Sequence, residues 1–289
     1  MDKTHTPLQS LSFAGVQKDV DIKDLSTLSI DVEKNIPKGS GTNKNAVAIV
    51  IGNRDYSGDV PNVDFALRDA EYIKEYLVRT LRYREGNIIH IENATLSQIK
   101  TSLKKLSNIA KKNKSDIFVY YSGHGAPDVK TKKSYLVPVD CNPNYIQTGG
   151  YALADLYSTL NEIEAKSTTV VIDACFSGSS AAGMLISNVS PIYIEVDDEA
   201  LRTDNYAVYT SATGQQISAW YPDKKHSLFT YYFLKAIQGD GDSNNDKKLT
   251  RGEIQTYLTD NVEYRARTFN REQSPQMLTT DKNQVVVRY

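Results

Sequence analysis

An α/β fold, with a mostly parallel β-sheet flanked by helices on both faces, is predicted by three features of this sequence. Short continuous apolar runs recur along the chain, as strands buried on both faces require. Between them, apolar residues return at helical spacing, so strands alternate with helices. Two of the runs also end in polar residues flanked by glycine, at the carboxyl ends where open parallel sheets bind their ligands.

The first 44 residues stand apart. They are polar with scattered apolar positions (Leu8, Leu11, Phe13, Val16, Leu25, Leu28, Ile30) and end in the breaker Pro37-Lys38-Gly39-Ser40-Gly41. A partly ordered extension, a regulatory arm and a strand pair all fit this pattern. The domain proper is expected over residues 45–289, opening with the strand Ala46–Ile51 (AVAIVI). Ala66, Ala70, Ile73 and Leu77 then mark a helix, and Ile88–Ile91 a second strand. Leu96, Ile99, Leu103, Leu106 and Ala110 line one face of the next helix, whose other face carries Lys100, Lys104, Lys105, Lys111 and Lys112 as a solvated surface. Asp116–Tyr121 and Thr168–Ile172 are the two strongest strands. Between them lie a shorter strand at Tyr135–Val139 and a helix near Leu153–Ala165. Tyr206–Thr210 is a further strand and Leu228–Ile237 a further helix.

Composition narrows the function classes. Lys plus Arg (34) nearly cancels Asp plus Glu (35), so the net charge of −1 gives no electrostatic reason for nucleic acid binding. No run approaches the ~20 apolar residues of a membrane span, and the first residues have no apolar core like that of a signal peptide. Cys141 and Cys175 are too few for a disulfide framework; two reduced thiols in a cytoplasmic protein are expected, with a single bridge as the alternative. There is no Gly-x-Ser-x-Gly elbow and no phosphate-binding glycine loop, which disfavours a serine hydrolase and a nucleotide switch.

The chemistry concentrates where the two strongest strands end. The first ends Tyr121-Ser122-Gly123-His124-Gly125, the second Asp173-Ala174-Cys175-Phe176-Ser177-Gly178. If the strands are neighbours, His124 and Cys175 face one crevice. A thiol beside an imidazole is a nucleophile with its acid–base partner. A loop histidine and a buried core thiol are the plainer alternatives, and Cys141 fits the latter better than Cys175 does.

These two motifs together resemble the caspase-like cysteine peptidases, which include caspases, metacaspases and paracaspases, with the prokaryotic members nearest. The resemblance runs over roughly residues 45–280 and takes in Thr210-Ser211-Ala212 and Gln273-Ser274-Pro275-Gln276. The histidine of caspases lies about 50 residues before the nucleophile. It implies cleavage of a protein or peptide substrate by a Cys175–His124 dyad, with no cofactor needed for the chemistry and the oxyanion held by the backbone N–H groups of Gly125 and Cys175. Asp173 stands where caspases that cut after aspartate have glutamine, and where metacaspases and paracaspases have aspartate. With Asp69 and Ser211 it implies a pocket for Arg, then Lys. The long loop after Cys175 corresponds to the linker cut when caspases mature, so self-cleavage after Arg202 is expected, with Lys38 a weaker second position. A regulatory partner protein is a further expectation, and a catalytically silent scaffold or adaptor is the rival reading.

One segment points elsewhere. Asp242, Asn244, Asp246, Lys248 and Glu253 fall at the ligand positions of an EF-hand loop, which makes Ca2+ a candidate ligand. Lys247 occupies the position where glycine usually makes the sharp turn. A calcium-independent Asx turn leading into a helix fits the same residues.

Overall fold

The computed structural model describes residues 30–128, 130–176, 205–213 and 216–289, with the backbone of 179–180 and 183–184. In chain order the main elements are β1 (Val47–Gly52), α1 (Ala66–Arg79), β2 (Ile88–Glu92), α2 (Leu96–Ile109), β3 (Asp116–Ser122), α3 (Leu153–Asn161), β4 (Ser167–Asp173), β5 (Tyr206–Thr210), α4 (Leu228–Lys235), α5 (Arg251–Thr268) and β6 (Gln276–Thr279). The six strands form one sheet in the order β6-β5-β4-β3-β1-β2. All neighbours are parallel except the edge pair β5–β6.

The apolar runs alternate between the two faces. Ala48, Val50, Phe118, Tyr120, Ala207 and Tyr209 point to one core, beneath α1, α4 and α5. Val47, Ile49, Ile117, Val119, Val170 and Ile172 point to the other, beneath α2 and α3. Each Val, Ile or Phe among them contributes about 1.5–3 kcal/mol on burial, against about 1 kcal/mol for a helix cap. Packing on the sheet therefore holds the helices, and the caps set where they start. Thr95 with Gln98 opens α2 through a reciprocal capping box, and Thr250 with Glu253 opens α5 in the same way.

The expected strand at Tyr135–Val139 is shorter and belongs elsewhere. Ser134–Leu136 pairs antiparallel with Gly125–Pro127 and with Tyr151–Ala152, in a small separate sheet. Pro138 has no N–H to continue the ladder. The expected helix to Ala165 stops at Asn161, and Glu164 takes a left-handed backbone conformation (φ 49°) in the turn before β4.

Of the amino-terminal 44 residues, 1–29 lie outside the described residues, as does Arg202. From Ile30 the chain packs onto the domain. Ile30 and Val32 are buried in the α1–α4–α5 core, and Tyr76 Oη donates to the Val32 carbonyl (2.8 Å). Asp31–Glu33 forms a 3-10 turn rather than a strand. Thr80 Oγ1 donates to Pro37 O and the Gly39 N–H to Arg79 O. Among the described residues, no helix is long and apolar enough to cross a membrane.

Candidate active site

The register of β3 on β4 aligns the two motifs. Ser122 lies opposite Asp173, and one step on the Gly123 N–H bonds Asp173 O (3.3 Å). His124 and Cys175 are each two residues beyond that pair, so the 51-residue separation seen in sequence is the strand register itself. Both side chains line one cavity of about 30 Å3, together with Val63, Asp173, Ser218 and Trp220.

His124 is held from three sides. Its N–H donates to Tyr56 Oη (2.7 Å), its carbonyl accepts from Tyr121 Oη (2.8 Å), and its Nε2 lies 2.6 Å from the Pro61 carbonyl. A carbonyl can only accept, so Nε2 carries the proton and Nδ1 is the basic nitrogen. The flanking glycines are steric requirements. A Cβ at Gly123 would meet Tyr56 Oη at 2.6 Å, and one at Gly125 would meet the Phe176 ring at 2.6 Å and Cys175 O at 2.8 Å.

Cys175 is buried, and its Sγ accepts the Ser218 N–H at 2.6 Å. Burial pushes its thiol up to about 12, against that N–H, which favours the thiolate. Burial also lowers His124 to about 4, against the Pro61 carbonyl. At neutral pH the pair therefore rests as thiol and neutral imidazole rather than as an ion pair.

The three residues expected to line a substrate pocket separate. Asp173 borders the cavity. Its carboxylate accepts from Ser218 Oγ (2.9 Å), Thr230 Oγ1 (2.7 Å) and Ser227 Oγ. Burial and the neighbouring Asp69 raise its pKa, against the three hydroxyl bonds. Among the described residues no cationic side chain bonds it. Asp69 is fully buried one layer further back, accepting from His226 Nδ1 (2.6 Å) and the Ser227 N–H (3.2 Å). Ser211 is also buried and turns its Oγ to Ala174 O (3.4 Å). Neither Asp69 nor Ser211 lines the cavity.

Ser218 and Ser227 at the site stand in no motif read from the sequence, while Gln273 belongs to the Gln273-Ser274-Pro275-Gln276 segment. Gln273 Nε2 donates to Ser211 O (3.0 Å) and Ser218 Oγ (3.2 Å), while its Oε1 accepts the Ala219 N–H (2.8 Å). One glutamine thus ties β5 to the segment that holds the thiol. Ser227 carries a helix-start signal, since its hydroxyl also caps α4.

The acidic loop is closed on itself. Asp242 accepts the N–H groups of Asp246 and Lys247, Asn244 that of Asp246, and Asp246 that of Lys248. Glu253 Oε2 accepts from the Thr250 N–H (2.9 Å) and Oγ1 (2.8 Å). Lys247 takes the left-handed conformation (φ 63°) that glycine usually supplies at that place. Among the described residues, no three His, Cys, Asp or Glu side chains gather so that they could hold a metal ion. In this arrangement the turn itself takes up the side-chain oxygens.

No curated protein matches the chain. Among solved structures, caspase-1 of Spodoptera frugiperda superposes with a TM-score of 0.61 at 13% identity, covering 88% of this chain and 95% of that one. A protein of Geobacter sulfurreducens superposes with a TM-score of 0.55 at 15% identity, covering 83% of this chain and 97% of that one. Similarity at this level shows the fold. The caspase domain family matches residues 45–285 and so takes in β1 through β6 together with both motifs of the crevice. The chain therefore belongs to the caspase domain family.

Proposed function

We propose that the chain is a cysteine endopeptidase that cleaves after Arg, then Lys, with Cys175 as nucleophile and His124 as acid–base partner. The family is one of cysteine peptidases. The observation that carries the specificity is Asp173, a buried carboxylate at the cavity wall that, among the described residues, is bonded by hydroxyls and by no cation. Such a group lacks the counter-ion that a buried charge normally has, and an incoming guanidinium or ammonium supplies it.

In this reaction Cys175 Sγ passes its proton to His124 Nδ1 and attacks the scissile carbonyl carbon. The carbon–nitrogen bond breaks as the imidazolium protonates the leaving amine, giving a thioester. Water, deprotonated by His124, then releases the acid and restores the thiol. Because both groups rest neutral, the proton passes from Cys175 to His124 within the step in which the thiol attacks, rather than before substrate arrives. The Gly125 and Cys175 N–H groups hold the oxyanion, a role worth ~10²–10³ in rate per donor. Self-cleavage after Arg202 belongs to the same proposal. The 242–253 loop is proposed as a turn that starts α5 and not as a cation site.

Hydrolysis of fluorogenic peptides ending in Arg, Lys or Asp by wild type and Cys175→Ala tests this reading. Arg-selective cleavage that the variant lacks supports it; cleavage after Asp ends the specificity argument. A silent scaffold is the second reading, favoured by the small cavity and by the bond from Ser218 to the thiol. Failure of a peptidyl electrophile to label Cys175 would favour it.

A further inference from the structure

Behind the candidate pocket lies a buried set of charges that crosses from the amino-terminal segment into the domain. His226 is wholly buried, with Nδ1 2.6 Å from Asp69 Oδ1 and Nε2 3.0 Å from Glu33 Oε1. A neutral imidazole has one N–H and one bare nitrogen, and a bare nitrogen cannot face a carboxylate oxygen at this distance. Glu33 is fixed as an anion by two bonds from Arg68 (2.6 and 2.7 Å). Asp69 takes the Ser227 N–H on its other oxygen. Both partners therefore call for the imidazolium, and their bonds outweigh burial and raise His226 above its usual value.

We propose that His226, kept as an imidazolium by Glu33, is the resident counter-ion of Asp69, so that a basic substrate side chain is offered Asp173 alone. This rests on the peptidase reading and gives Asp69 a different part from the one expected of it. Glu33, Arg68, His226 and Asp69 balance in charge, and Asp173 is the carboxylate left over. Ser227 joins the two acids, its N–H on Asp69 and its hydroxyl on Asp173. The other groups facing His226 are the ring edge of Tyr72, itself beneath Arg68, and, through Ser227, Asp173. Asp31, two residues before Glu33, is engaged by Lys224 and Tyr231. Glu33 precedes the matched family region, so the amino-terminal segment sets the charge of the pocket without touching it. His226 and Glu33 are positioning residues for specificity.

The test uses the full chain, with Glu33→Gln as the main variant and His226→Gln as the second. Peptides ending in Arg, Lys and the uncharged isostere citrulline are compared between pH 5.5 and 8, and the ring nitrogens of His226 are followed by NMR. Wild type should show imidazolium resonances up to pH 8 and an Arg-to-citrulline KM ratio that varies little with pH. Glu33→Gln should lose the imidazolium at the alkaline end. There the KM for the Arg peptide should fall about threefold to tenfold relative to citrulline as a nearby like charge is removed, and the difference should close at pH 5.5. His226→Gln should show the same fall at every pH. A neutral His226 in wild type, or variants that change all three peptides by one pH-independent factor, would overturn the proposal. Wild type that cleaves none of the peptides ends the peptidase reading and the specificity role with it, while the NMR signals still decide the pairing.

Discussion

The crevice at the ends of β3 and β4 and the loop at 242–253 both collect acidic residues at spacings that fit a binding site, yet they are built in opposite ways. In the loop, the acid oxygens accept N–H groups from residues two to five positions along the same turn. In the crevice, Asp173 takes its bonds from Ser218, Ser227 and Thr230, and Asp69 from His226, all from distant parts of the chain. Local closure costs little and does what any helix start must do. Bringing two carboxylates together in a dry core costs several kcal/mol unless they are matched. Folding alone gives no reason for the second arrangement, so it is the one to which the proposed specificity is assigned.

The widest separation between the two regions should appear in rate. Cys175→Ala should lower peptide hydrolysis by at least about 10⁴-fold, since members of a catalytic unit fail together. No substitution at Asp242 or Asp246 should come near this. Equal losses at both places, measured with the same Arg peptide, would erase the distinction. Next, Asp173→Asn should lower kcat/KM for the Arg peptide by about 10²-fold, the cost of a lost buried charge pair, and should leave a citrulline peptide within about threefold. An equal loss on both peptides would make Asp173 structural.

Stability against pH sharpens the contrast inside the crevice. His124 is depressed to about 4 by burial, so the unfolded chain takes up its proton first as pH falls below 6.5. Its contribution is intact above 6.5 and declines toward the folded value. Between pH 7 and 4.5 wild type should therefore lose about 2–3 kcal/mol more than His124→Gln in urea unfolding. His226 works with the opposite sign. Its pKa is raised, so its stabilisation is complete below 6.5 and fades as pH rises through the folded value. If the two variants shift the pH–stability curve the same way, one of the two environments is misassigned.

How much of this was legible before the fold is clearest residue by residue. The sheet was, because Ala46–Ile51 and Ile117–Tyr121 are short continuous runs without a charged residue, as a strand covered on both faces requires. The placing of His124 and Cys175 was too, since both motifs end strong strand runs; that the glycines at 123 and 125 are steric requirements shows only in the fold. Asp173 was marked by the resemblance, which puts a specificity-determining residue two places before the thiol. Asp69 was legible as an acid on a helix, but its partner was not: Glu33, Asp69 and His226 lie far apart in sequence and carry no common pattern. Ser218 was hidden for the same reason, because a buried polar bond across 45 positions leaves no periodicity; Gln273 stood in a quoted segment, but its bonds did not show. Lys247 did leave a mark, as a bulky residue at a place where the turn needs a left-handed backbone.

The smallest effects belong to the loop, and they test whether its closure is the whole of its role. Thr250→Ala removes one side of the capping box and should cost about 1 kcal/mol, a fall in Tm of roughly 2–4 °C for a chain of this size. Lys247→Gly relieves the left-handed lysine, worth about 1–2 kcal/mol, but loosens the unfolded chain by about 0.5–1 kcal/mol. The balance is a rise in Tm of a degree or two. Calcium at millimolar concentration should move the wild-type Tm by less than about 1 °C, because binding stabilises only as RT ln(1 + [L]/Kd) and the Glu253 oxygen that would complete the site already caps α5. A calcium-dependent rise of several degrees, lost in Glu253→Gln, would mean that the cap opens for the ion, and the loop would then join the crevice as a second binding site.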